Sequence, residues 1–387
     1  MLIDVTRLAD RMLQGRLPTG VDRVSLAYVQ YFKARSRALI RFAGRWLTFN
    51  QSDSQRLFDA LLDGDIGSAH TIRWCVAQAY VFSWSQQPGA LMFNTGHSGL
   101  DLPDYAAKIQ RHGFRPVFFL HDLIPVSHPE YCRAGEAERH HRRLDAMLSV
   151  GKGLIVNSAA TLDELMAYAG DRHVNVPPCV VASLAPAKLP EPFRGRPLEK
   201  PYFVVLGTIE PRKNHSLLLH LWRQLVADFG DAAPQLVVIG QRGWECEQVV
   251  DLLDRCPALR GYVTELPRCE DRELATWLAH AQALLFPSFI EGFGMPLVEA
   301  LMLEVPVIAS DLSVFREIAG DIPHYLDPLD GPGWRRAVLE FMKPDSVERE
   351  IQLARMTNYA PPTWAQHFEI VEDLLASLSV ALYGSAK

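Results

Sequence analysis

Two glutamates eight residues apart, Glu291 and Glu299, bracket the run Gly292-Phe293-Gly294-Met295-Pro296. The apolar residues 283–287 before it read as a buried strand, and residues 297–303 after it read as a packed helix opened by Pro296. Gly292 and Gly294 allow a tight loop whose backbone a ligand can approach. Free N–H groups at the helix start, with the dipole behind them, suit a phosphate. Carboxylates repel phosphate, so the two glutamates are expected to accept hydrogen bonds from hydroxyls beside it. A diphosphate flanked by sugar hydroxyls is a nucleotide sugar. The bland alternative is a strand–loop–helix corner with two solvated glutamates.

A second stretch, Gly207-Thr-Ile-Glu-Pro-Arg212-Lys213-Asn214, follows another apolar run and places adjacent cations at a helix start. Cations there oppose the helix dipole and need an anion to justify them. Arg212 forks onto two oxygens and Lys213 adds a point charge, a sensible grip on a diphosphate. His121-Asp122 ends the apolar run 117–120, where a polar pair at a carboxyl strand end points into a cleft. A histidine packed at a sheet edge is the competing reading.

The Glu291-x7-Glu299 pair with its Gly-Phe-Gly-x-Pro insert resembles the signature of retaining GT-B glycosyltransferases of family 4, the glycosyl transferases group 1. The resemblance covers most of residues 202–330 and touches the first half loosely. It implies that Lys213 and Arg212 neutralise a leaving diphosphate, although Thr208 stands where the family commonly has an arginine. It implies that Glu299 accepts from ribose hydroxyls, that Glu291 accepts from the donor sugar, and that the backbone of Gly292, Phe293 and Gly294 binds phosphate or sugar. His121 would contact the transferred sugar from the opposite domain. Gly20, in Pro18-Thr19-Gly20, resembles the family's glycine-bearing first loop near the diphosphate. Gly240 and Leu266, at two strand ends, would frame the nucleotide. No metal and no cofactor beyond the donor is implied.

These residues need a scaffold of alternating strands and helices. In the first half, strands are expected at 2–5, 38–42, 90–94, 117–120 and 153–156, and helices at 21–35, 104–112, 136–148 and 160–169. Residues 185–201 hold five prolines and no periodicity, which suits a linker. The alternation then restarts, with strands at 202–206, 235–239, 263–266, 283–286 and 306–309. The expected fold is α/β: two Rossmann-like, doubly wound domains facing across a cleft, with ligands at carboxyl strand ends. Boundaries fall at 1–190 for the acceptor-side domain, 191–201 for the linker and 202–361 for the donor domain. Residues 362–387 form a terminal helix that in this family often returns to the first domain.

Composition agrees with a globular chain of two full cores: 387 residues, 48% hydrophobic and 22% charged. Six scattered cysteines without a Cys-x-x-Cys pair fit reduced thiols in the cytoplasm, and no signal peptide is visible in Met1-Leu-Ile-Asp. Net charge is −6, with the first 195 residues at +4 and the remainder at −10. A basic front half and the cluster Arg139-His-His-Arg-Arg143 suit weak peripheral contact with an anionic membrane, or simply a solvated face. Nucleic acid is disfavoured by the overall acidity.

The stretch Gly207-Thr-Ile-Glu-Pro-Arg-Lys-Asn214 is similar to bacterial mannosyltransferase-like members of the family, and the resemblance implies transfer of a hexose, mannose from GDP-mannose by first choice, to a hydroxyl of a glycan or lipid-linked oligosaccharide in bacterial surface polysaccharide. A UDP-sugar or other GDP-sugar donor, a GT-B isomerase or phosphorylase, and a non-catalytic glycan-binding protein are the alternatives.

Overall fold

A computed structural model describes residues 1–16, 18–64, 67–81 and 88–384. The last three residues of the expected terminal helix lie outside them. The chain divides into two compact units, Met1–Val126 with Gly135–Leu184 and Trp364–Lys387, and Ser127–Ala134 with Ala185–Thr363.

The first unit holds strands β1 (Leu2–Asp4), β2 (Arg37–Phe42), β3 (Arg45–Thr48), β4 (Leu91–Asn94), β5 (Arg115–Leu120), β6 (Gly153–Val156) and β7 (Cys179–Val181). Their order is β3-β2-β1-β4-β5-β6-β7, parallel throughout except for β3, which runs back along β2. The central strands are apolar on both faces because helices cover both sides, as parallel sheets require. Leu2, Leu39, Phe118, Leu144 and Leu154 belong to one buried cluster. Ser158 begins the helix Ala159–Asp171 by accepting from the Thr161 N–H at 3.1 Å, an N-cap bond.

The long helix Trp364–Gly384 packs on this unit. Phe368 stacks on Tyr31 with centroids 3.9 Å apart, Tyr28 meets His367 Nε2 at 2.9 Å, and Arg115 donates to the Leu378 carbonyl at 2.6 Å.

The second unit holds β8 (Tyr202–Leu206), β9 (Gln235–Ile239), β10 (Val263–Leu266), β11 (Leu284–Phe286), β12 (Val307–Ser310) and β13 (His324–Leu326). All are parallel, in the order β10-β9-β8-β11-β12-β13. The order reverses between β8 and β11, where open α/β sheets form their binding crevice. Behind the sheet, Leu218, Trp222 and Leu225 of the helix His215–Phe229 join Phe203, Val205 and Trp334 in the core. Residues 127–134, expected in the first domain, group with this unit for an evident reason. Tyr131 stacks on Phe289 at 5.3 Å with planes 2° apart, and the Trp244 indole donates to the Tyr131 carbonyl at 3.3 Å.

Gly240 closes β9 with φ +155°, and a Cβ there would lie 2.0 Å from the carbonyl oxygen of Gly207. The sheet is therefore pinched shut between the ends of β8 and β9, and only a missing side chain allows it. Gly240→Ala is expected to destabilise the protein by about 2–4 kcal/mol. A urea-unfolding midpoint equal to wild type would contradict this.

Candidate active site

The loop after β8 and the loop after β11 meet at the point where the strand order reverses. Their contact is charged and buried. Glu291 takes Lys213 Nζ at 2.5 Å on one oxygen and Arg212 Nη1 at 2.6 Å on the other. Ser288 Oγ donates to the same carboxylate at 2.7 Å. Arg212 also reaches Glu210 at 2.6 Å, so two cations and two carboxylates form one neutral knot. Bonds to main-chain carbonyls hold the loops in place: the Phe289 N–H donates to the Arg212 carbonyl at 2.8 Å, and the Asn214 side-chain Nδ2 donates to the carbonyls of Pro287 and Pro328 at 3.2 and 2.9 Å. Asn214 sits at φ +56°, in the left-handed region that asparagine tolerates, and turns the chain from this loop into the helix His215–Phe229.

Burial and charge compete at each member. Burial pushes the Glu291 carboxyl up, but Arg212 and Lys213 outweigh it and hold the group at about 2. Burial lowers the Lys213 ammonium, and Glu291 partly restores it. Glu210 is raised by burial against the pull of the same two cations. Sequence reasoning picked out Lys213, Arg212 and Glu291. It passed over Ser288, Glu210 and Asn214 as motif filler, although a small polar residue three before Glu291 was a usable sign of a side-chain turn.

Glu299 lies inside the helix Met295–Met302 and is 5% exposed. Gly294 caps that helix at φ +113°, and a Cβ on it would lie 2.7 Å from Phe315. Close packing alone thus demands this glycine, while Phe293 beside it is buried. At the other strand ends, Gly240 donates its N–H to the carbonyl of Leu266 at 3.0 Å, tying β9 to β10.

The remaining candidates lie in the first unit. His121 follows β5 and is 7% exposed; its Nε2 is 2.7 Å from the Thr95 carbonyl and its own carbonyl accepts from Asn157 at 2.8 Å. A carbonyl only accepts, so Nε2 carries the proton. Burial lowers this imidazole to about 4, against the opposing pull of the Thr95 carbonyl and Asp122, so it is neutral at pH 7. Two more histidines flank it, the half-buried His97 with ring centroid at 5.1 Å and the buried His140 beyond, 6.0 Å from His97.

Gly20 opens the helix Gly20–Phe32, where Thr19 and Asp22 form a reciprocal capping box. Nothing crowds the place of its missing Cβ. The basic cluster at 139–143 is partly neutralised, since Arg139 and Arg143 both pair with Glu136, at 3.1 and 2.8 Å. No described helix is long and apolar enough to cross a membrane.

Comparison with known proteins fits this geometry. Residues 191–322 match the model of the family Glycosyl transferases group 1. The serotype-specific mannosyltransferase WbdA of Escherichia coli is 27% identical over 293 residues, which are 72% of this chain and 35% of that protein. The O-antigen chain mannosyltransferase B of Escherichia coli is 29% identical over 248 residues, 62% of this chain and 64% of that one. The chain thus spans about a third of the first relative and somewhat under two thirds of the second. Among solved structures, sucrose-phosphate synthase from Thermosynechococcus elongatus superposes with a TM-score of 0.62, covering 93% of each chain at 17% identity. The fold is that of GT-B glycosyltransferases, two Rossmann-like units each built on a largely parallel sheet, and residues 191–322 form a glycosyl transferases group 1 domain.

Proposed function

We propose that this chain is a retaining glycosyltransferase that moves a hexose, mannose from GDP-mannose by first choice, to a hydroxyl of a glycan or lipid-linked oligosaccharide of a bacterial surface polysaccharide. The observation that carries the reading is the buried meeting of Arg212 and Lys213 with Glu291 at the β8–β11 reversal. The mannosyltransferase relatives support the choice of sugar.

In this reading the bond between the anomeric carbon and the diphosphate oxygen breaks while the acceptor oxygen bonds to that carbon on the same face. Arg212 and Lys213 stabilise the charge left on the departing diphosphate, a preorganised electrostatic effect. The leaving oxygen takes the acceptor's proton, so no protein nucleophile is needed. Glu299 accepts from the ribose hydroxyls and Glu291 from the sugar. His121, neutral and with its Nε2 proton engaged by Thr95, offers Nδ1 to a sugar hydroxyl. The backbone around Gly207, Gly292, Phe293 and Gly294 lies against the donor, Gly240 and Leu266 frame its base, and Gly20 approaches the diphosphate.

Calorimetric titration with GDP, UDP, ADP, CDP and dTDP tests the donor site. GDP is expected to bind selectively, and Glu299→Ala to weaken it by about tenfold or more, the worth of hydrogen bonds to a charged acceptor. Failure of the folded protein to bind any of the five would sink the donor assignment. The product's anomeric configuration, read by NMR coupling constants, tests retention.

A further inference from the structure

Residues 127–134 leave the first unit after Val126 and rejoin it at Gly135, yet they pack on the second. Their grip falls on the loops that follow β9 and β11, through Trp244 and Phe289. In the sheet order β9-β8-β11 those loops stand on either side of the β8 loop, which carries Arg212 and Lys213.

The clasp is aromatic and polar together. Besides its stack on Phe289, the Tyr131 ring lies nearly parallel to His128, with centroids 6.1 Å apart. Besides the indole's bond to the Tyr131 carbonyl, Trp244 carries the Arg133 guanidinium over its ring, 5.0 Å from the centroid.

Each gripped loop is in turn sewn to the β8 loop. The Ile209 N–H donates to the Gln241 carbonyl and the Gly243 N–H to the Ile209 carbonyl, both at 2.9 Å. A Cβ on Gly243 would lie 2.7 Å from the Ile209 carbonyl oxygen, so the approach leaves no room for a side chain. Glu245, next to Trp244, sits at φ +49°, an unfavourable backbone for a glutamate that its surroundings must hold. On the other side, Phe289 bonds to the Arg212 carbonyl two residues before Glu291. The three loops and residues 128–133 therefore close a ring of contacts.

A loop held only at its ends samples many arrangements, and a contact near its tip removes most of them. The stack that holds Phe289 thus also holds the Glu291 carboxylate against its two cations. The bond to Trp244 does the same for the loop that starts at Gly240.

We propose that Tyr131 is a positioning residue of the donor site: the clasp of residues 128–133 keeps the β9 and β11 loops in the arrangement that binds a nucleoside diphosphate. The proposal rests on the donor-site reading above, and Tyr131 acts through Phe289 and Trp244 rather than on the donor itself.

Without the stack the loops leave that arrangement part of the time, and apparent affinity falls by the same fraction. Calorimetry with the tightest binder of GDP, UDP, ADP, CDP and dTDP tests this on the full chain. Tyr131→Ala is expected to weaken binding about three- to tenfold, the range that one aromatic pair supports. Tyr131→Phe keeps the ring and the carbonyl and should bind within about twofold of wild type. Trp244→Phe keeps a ring but loses the indole donor, and should weaken binding about two- to tenfold.

Hydrogen exchange in peptides covering residues 240–246 and 286–294 is the second readout. Exchange in both is expected to quicken in Tyr131→Ala, to match wild type in Tyr131→Phe, and to slow again at saturating diphosphate. A lower urea midpoint with unchanged affinity and unchanged loop exchange would make the segment a mere fastening of the chain and overturn the proposal. So would Tyr131→Phe binding as weakly as Tyr131→Ala, since the stack would then not be the cause. A wild-type protein that binds none of the five diphosphates, while the exchange pattern holds, would remove the donor reading and leave the clasp as a brace of these loops.

Discussion

Lys213→Ala is expected to lower kcat/KM for sugar transfer by about 10²–10³-fold, the usual loss when one preorganised group stabilising transition-state charge is removed. A structural explanation must be separated from this, because Lys213 is also half of a buried ion pair with Glu291. Removing one partner of such a pair leaves a stranded charge and commonly costs about 3–5 kcal/mol of stability. Here the loss is expected to be smaller, about 1–3 kcal/mol, since Arg212 and Ser288 still hold the Glu291 carboxylate. The double variant Lys213→Ala/Glu291→Ala resolves the two roles. Stability should partly return, because neither charge is left without its partner, while activity stays low because the cation is gone. Recovery of both together would make the pair a structural clasp and end the case for Lys213 as the diphosphate's counter-charge. Nucleoside diphosphate affinity adds a third readout, expected to weaken in the single variant and not to return in the double.

How far the site was legible follows from where its information lies in the chain. Arg212, Lys213 and Glu291 each sit in a short motif whose flanking strand and helix are strongly patterned, so their types and neighbours exposed them. That Glu291 grips both cations was not legible, because 78 residues separate it from Lys213 and only the β8–β11 adjacency joins them. Pairings between strands far apart in sequence leave no local trace. The same limit hid Ser127–Ala134, whose transfer to the second unit depends on Tyr131 finding Phe289.

Strands buried on both faces, such as Val117–Leu120 and Tyr202–Leu206, were plain from their unbroken apolar runs. Short or amphipathic pieces were not. β3 is four residues with one exposed end, and the helix Ser68–Val81 has apolar residues around most of its circumference, so neither gave a clear period. The helices Gly331–Phe341 and Val347–Met356 were also missed. The first begins with Gly-Pro-Gly, which reads as a turn until the Asp330 carboxylate is seen accepting from the Gly333 N–H at 2.9 Å. The burial of Arg41 was not legible either, since a guanidinium's burial depends on what folds over it.

Acidification should unfold this protein in two separable stages. His121, His215 and His367 are buried, and burial lowers each from 6.5 to about 4. His97 and His140 are shifted the same way for the same first reason. Between pH 6.5 and 4 the unfolded chain therefore binds protons that the folded chain refuses, and stability falls as pH falls. Each of the three histidines at about 4 can contribute up to about 3 kcal/mol across that window. Glu291 acts below it: its carboxyl is at about 2 when folded against 4.5 ordinarily, so its contribution is intact above pH 4.5 and lost as pH drops towards 2. Glu210, raised by burial above 4.5, works in the opposite sense above that pH and so softens the first stage. Urea midpoints measured from pH 7.5 to 4 should decline steadily from about 6.5 downward, and a flat profile to pH 5 would refute the histidine account. His215 gives the sharper check, because both of its ring nitrogens are buried without a hydrogen-bond partner. Replacing it by leucine removes two unsatisfied polar atoms and a group that resists protonation. His215→Leu is therefore expected to be near neutral at pH 7.5 and to stabilise by about 1–3 kcal/mol at pH 5. Equal effects at the two pH values would mean that packing, not protonation, governs this position.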